Sequence, residues 1–118
     1  MKLKKKTLLE STGALAKLFS QEMPVELAYK ISKNISIVEG EMKDFFKIQS
    51  EISNKFVDKE TKKIPDDKLK EIEKLLGEEL EKEIELKLIT IKLKDLKEIK
   101  DLALSPINIK KLEYIVVE

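Results

Sequence analysis

The residues Ala28, Ile31, Ile35, Val38, Met42, Phe45, Gln49, Ile52 and Phe56 recur at alternating steps of three and four, an unbroken heptad seam. No other stretch constrains the fold as strongly. A straight α-helix drifts from a seven-residue repeat, so a seam kept over four heptads favours left-handed supercoiling against a partner helix. Glu26/Lys30, Glu39/Lys43 and Glu51/Lys55 stand four apart in the favourable order and support the solvent face. Gln49 is the one polar residue on the seam; a buried polar group there costs stability but fixes register when it finds a hydrogen-bond partner. Phe46 points away from the seam and must pack under another helix or form part of an interface.

The elements around this helix follow from local signals. Thr7-Leu8-Leu9-Glu10 has the form of a capping box, which predicts a first helix from Thr7 with an apolar face of Leu8, Thr12, Leu15 and Phe19, widened by Leu9, Ala16 and Leu18. The chain turns around Gln21-Glu22-Met23, and Pro24 suits the first position of the second helix because its missing N–H would have had no intrahelical acceptor. Asp58 to Pro65 has no apolar period and reads as an exposed loop. A third helix starts at Asp66 or Asp67, with Leu69, Ile72, Leu76 and Leu80 on one face and Leu75 beside it; it either stops at Gly77 or runs on through Glu78. From Ile84 the period changes to two, through Leu86 and Leu88 and then Ile91 and Leu93, with a slip between Leu88 and Ile89 that indicates a bulge or two short strands. Such a strand needs a partner, in the short remainder of the chain or in a second copy. After a turn at Asp95 to Lys100, Ser105-Pro106 caps a last helix bearing Ile109, Leu112 and Ile115 or Val116. The expected fold is mainly α (α+β), one domain over residues 1–118: a helical hairpin over 1–60 with a long coiled-coil-like second helix, then a third helix, a short strand region and a C-terminal helix over 61–118.

Composition excludes most site chemistry. The chain has no histidine, cysteine, arginine or tryptophan, so imidazole, thiolate and the guanidinium fork are all missing. There is no glycine-rich phosphate loop and no nucleophile with a base near it, so the reading is a non-enzyme without cofactor or metal. The carboxylates Glu78, Glu79, Glu81, Glu83 and Glu85 are contiguous and interleaved with lysine, as in a solvated face. Lys4, Lys5 and Lys6 are the candidates for phosphate contact, weighed against a plain solubilising run. The net charge of +1 selects neither nucleic acid nor membrane, no run approaches the roughly 20 apolar residues of a membrane helix, and Glu10 with Ser11-Thr12-Gly13 argues against a signal peptide. A cytoplasmic location is expected.

Lys2-Leu3 through Leu8-Leu9, the central Met23-Pro24-Val25-Glu26-Leu27-Ala28-Tyr29-Lys30-Ile31, the Leu75-Leu76 to Ile84 junction and Leu104-Ser105-Pro106 together resemble a group of short uncharacterised proteins of tailed phages and prophages of low-GC, Gram-positive bacteria. The resemblance implies an accessory protein acting by binding. Counter-defence, through capture of a host immune protein or its nucleotide signal, is the leading role; a virion or tail-assembly accessory docking through the seam and a weak, sequence-independent nucleic-acid binder are the alternatives. The partner is then a host or phage protein, with a nucleotide as the candidate small ligand. A second helix of about 33 residues spans roughly 50 Å, beyond the reach of the first helix. A homo-oligomer is therefore expected, with Ile31, Ile35, Val38, Met42, Phe45, Phe46, Gln49, Ile52 and Phe56 as its interface, the alternative being cover by helices one and three of the same chain.

Overall fold

The computed structural model describes residues 1–99 and 102–118 and measures 57 × 26 × 22 Å. In chain order its elements are β1 (Lys2–Lys4), α1 (Lys5–Phe19), α2 (Val25–Lys55), α3 (Asp66–Leu80), β2 (Glu83–Glu85), β3 (Ile91–Lys92), α4 (Leu93–Lys97), α5 (Pro106–Lys111) and β4 (Val116–Val117). The architecture is mainly α, with a long second helix, as the periodicity predicts. No helix among the described residues is long and apolar enough to cross a membrane.

Helix α1 begins at Lys5 rather than Thr7, and the Thr7–Glu10 capping box does not form. The reason is the strand ahead of it. β1 pairs antiparallel with β2, Leu3 opposite Ile84, and the ladder runs on so that the Lys5 amide donates to the Lys82 carbonyl at 3.0 Å, occupying an N–H that a cap would otherwise serve. The strand expected to need a partner thus finds it at the N-terminus of its own chain. The buried face of α1 is Leu8, Ser11, Ala14, Leu15 and Leu18, rotated from the expected one, and Phe19 is exposed. Ser11 fits that face because its hydroxyl donates to the Leu8 carbonyl (2.9 Å) and meets the Tyr114 hydroxyl at 2.8 Å, tying α1 to the C-terminal segment.

Pro24 is the N-cap of α2, one residue ahead of the expected first position. Along the proximal part of α2 the buried residues are Leu27, Ile31, Asn34, Val38, Met42 and Phe45, which advance 18 residues in five steps, or 3.6 per step. That is the period of a straight helix. The proximal half therefore packs on α1 without having to supercoil, and Asn34, off the heptad seam, takes the inward place while Ile35 is half-buried. Asn34 is completely buried and fully satisfied: Nδ2 donates to the Ile89 carbonyl and Oδ1 accepts from the Ile89 amide, both at 2.8 Å.

That clamp holds the irregular segment 86–90, where the expected strand breaks in two. β3 pairs in parallel with β4, Ile91 opposite Val116. Leu93, expected in the strand, instead starts α4, and the expected turn at Asp95 to Lys100 is helical as far as Lys97, with Lys100 outside the described residues. The last helix is shorter than its apolar spacing suggests. The Ser105 hydroxyl caps it by accepting from the Asn108 amide, but Leu112 already ends it, because Val116 and Val117 pair with β3 and that extended backbone cannot also be helical. Helix α3 continues through Gly77 to Leu80. One core runs through the molecule, from Leu8, Leu15 and Leu18 on α1 through Ile31 and Val38 on α2 to Ile91, Leu112 and Ile115, so residues 1–60 and 61–118 share it. Each such side chain contributes about 1.5–3 kcal/mol by its removal from water.

Candidate protein-interaction surface on the distal arm

Helix α2 is about 46 Å long at 1.5 Å per residue and α1 about 22 Å, so α1 covers only the proximal half. Beyond Phe45 the cover comes from α3. The end of α3 meets the start of α1, through the Lys5 to Lys82 backbone bond and the Lys5–Glu79 ion pair, so α3 and α1 lie against successive parts of α2. The result is a two-helix arm projecting from a many-layered body, with a hydrogen-bonded turn at its tip where Lys62 takes the left-handed conformation (φ 58°) and its amide donates to the Asp58 carbonyl.

Two helices alone cannot enclose a core. On α2, Ile48, Gln49 and Ile52 are only half-buried, as is Phe56 at its C-cap, and Phe46 is 50% exposed, its ring edge-on to Phe45 with centroids 5.7 Å apart. On α3, Ile72 is the only buried apolar residue; Leu69 and Leu75 are 45% and 36% exposed. Ile52, Phe56 and Leu75 form the apolar lining of a groove of about 270 Å³ that is bordered by Lys55, Glu78 and Lys82, with the buried Glu79 at its inner wall. An apolar groove with a charged border is the composition of a protein-binding surface.

The nine residues expected at an interface therefore divide. Ile31, Val38, Met42 and Phe45 are buried within a single chain, and Ile35 is half-covered by α1. Gln49, Ile52, Phe56 and Phe46 lie on the arm with solvent access. The exposure of Leu69 and Leu75 was not legible in the sequence, because periodicity shows which face is apolar but not whether anything covers it.

The lysines expected to meet phosphate are otherwise engaged. Lys4 pairs with Glu81 at 2.7 Å, which raises the Lys4 pKa and lowers that of Glu81, and Lys5 pairs with Glu79. Lys6 makes no ion pair among the described residues. Glu79 departs from the expected solvated face. It is buried where α3 meets α1, and its carboxylate accepts from Lys5 and from Lys82 (2.7 Å), with Lys5 the larger cause of a pKa held below the ordinary value. The ionised form is favoured in the folded state. Its contribution is therefore complete above the unfolded-state value near 4.5 and is lost as pH falls through the lower folded-state value. Glu79→Gln should cost about 1–3 kcal/mol at pH 7 and flatten the loss of stability below pH 4.5, measured by urea denaturation across pH. An unchanged pH profile in the variant would show that Glu79 has no part in it.

Among the described residues no group of three or more carboxylates converges as a metal site. Tyr29, at the other end of α2, is 60% exposed, with the Lys33 amine 5.0 Å from its ring centre. No protein-family model, no curated protein and no solved structure matches this chain.

Proposed function

We propose that this protein is a non-enzymatic binding protein that captures a partner protein on the distal arm. The observation that carries this reading is the groove lined by Ile52, Phe56 and Leu75, with Phe46 and Leu69 as further exposed apolar side chains of the same arm, on a two-helix layer that its own chain leaves open. Burying such residues against a partner supplies the apolar centre of an interface, and the lysines and glutamates around them supply its rim. With the phage resemblance, the role is counter-defence by capture of a host immune protein, in the cytoplasm of the host cell. Ile31 to Phe45 serve the chain's own core, so self-association falls to the same distal arm.

The protein branch of counter-defence is favoured over capture of a nucleotide signal or of nucleic acid, because Lys4 and Lys5 are held by carboxylates and there is no arginine to grip phosphate. Replacing Lys4, Lys5 and Lys6 by glutamine should lower the melting temperature, since two ion pairs at the β1–α1 junction go with them, while DNA binding stays negligible at 150 mM salt before and after. A steeply salt-dependent DNA affinity that the substitutions abolish would favour the nucleic-acid role instead. The capture reading is tested by expressing the tagged protein in the host and comparing its co-purifying proteins with those of arm variants. A virion protein among them, rather than a host protein, would give the assembly role.

A further inference from the structure

Helices α1 and α3 are each 15 residues long, yet they are held in different ways. α1 buries Leu8, Ala14, Leu15 and Leu18 together with Ser11, whereas α3 buries one apolar side chain, Ile72, and one carboxylate, Glu79. Leu76 and Leu80 are half-buried against the core, and Leu69 and Leu75 meet solvent. A lone helix of this length is marginal in water, so α3 depends on a thin apolar contact for its structure. Its first turn has no side-chain cap, and the loop ahead of it is exposed from Asp58 to Lys63.

The firm attachment of α3 is polar and lies at its C-terminal end. Glu79 is reached by Lys5 of α1 and by Lys82 in the turn behind α3, and the Lys82 carbonyl accepts the Lys5 amide. What α3 covers is the distal part of the heptad seam, where Ile52 and Phe56 share a groove with Leu75 and Glu79. The proximal seam needs nothing from α3, because Ile31 and Val38 are already buried in the core shared with α1. Segments with few buried apolar contacts open without global unfolding. We propose that α3 is a strap that opens from α2 as a unit of its own, fastened to α1 through Glu79 and Lys5, and that its opening uncovers Ile52 and Phe56 while the rest of the fold stays closed. The device belongs to the isolated chain and does not depend on what the arm captures.

The test is native-state amide exchange of the intact protein, followed residue by residue in low urea. Amides from Lys70 to Leu80 should be on the order of a hundredfold less protected than those of Leu15 and Leu18, with a weaker urea dependence because less surface is exposed. Two mild variants separate opening of the strap from opening of the whole chain. Ile31→Val weakens a core that the open strap leaves intact, so it should speed exchange in α1 by about two- to tenfold and leave α3 unchanged. Glu79→Gln removes the fastening, so it should speed exchange throughout α3 by about tenfold or more. Equal protection of α1 and α3, equal acceleration of both by Ile31→Val, or an α3 indifferent to Glu79→Gln would each overturn the proposal.

Discussion

Asn34→Ala is expected to destabilise the fold by about 2–5 kcal/mol, a large part of the stability of a domain this size. The substitution removes both hydrogen bonds of a completely buried amide and leaves the amide and carbonyl of Ile89 facing an apolar surface without partners. The consequence reaches beyond one residue. Ile89 precedes β3, whose two-residue pairing with β4 is too short to hold its own register, so release of the clamp should loosen Ile91 and Val116 together. Asn34→Asp is the discriminating companion. It keeps an acceptor for the Ile89 amide but turns a carboxylate toward the Ile89 carbonyl in a buried site, and should be no better than alanine. Urea denaturation gives the magnitude, and amide exchange at Ile89 and Ile91 gives the location. A loss below about 1 kcal/mol, with exchange at Ile89 unchanged, would mean that the segment is held by its apolar contacts alone.

The second large effect concerns binding rather than stability. Phe46→Glu combined with Leu75→Glu places two carboxylates on the apolar surface of the arm, one of them in the groove, and burying them against a partner would leave unpaired charges in the interface. Partner capture should fall by a hundredfold or more, equivalent to about 2.7 kcal/mol or above. Because both side chains already meet solvent, the fold should survive with a change of about 1 kcal/mol or less. Tyr29→Glu, on an exposed residue at the other end of α2, is the matched control and should leave capture unchanged. Equal loss in the control and the arm variant would point to a general charge effect, and loss accompanied by unfolding would make the arm a structural element only.

The contrast between the two sites shows how far the sequence could be read. The long second helix, the exposed turn after it, the start of α3 at Asp66 and the Ser105-Pro106 cap all rest on local chemistry, and the structure has each of them. The misplacements have a common origin in partners distant along the chain. Lys5 begins α1 because Lys82 accepts its amide, the last helix ends early because Val116 pairs with Ile91, and Asn34 turns inward because Ile89 meets it. No spacing within α1, α2 or α5 carries that information. Glu79 is the same case in charge: among interleaved glutamates and lysines it looks solvated, and only the abutment of α3 on α1 brings Lys5 to it. Of the arm, Phe46 was legible because it falls off the apolar seam of its own helix, whereas Leu69 sits within a regular apolar face and Leu75 beside it. What exposes them is the absence of a third layer, a property of the tertiary structure.

The central claim, that the distal arm is the capture surface, is tested most directly by photo-crosslinking in the host cell, with a benzophenone amino acid placed at position 46, 75 or 29. Positions 46 and 75 should each give a discrete heavier adduct containing the same partner, identified by mass spectrometry, and position 29 should give none. Adducts from position 29 alone, or none from the arm, would contradict it.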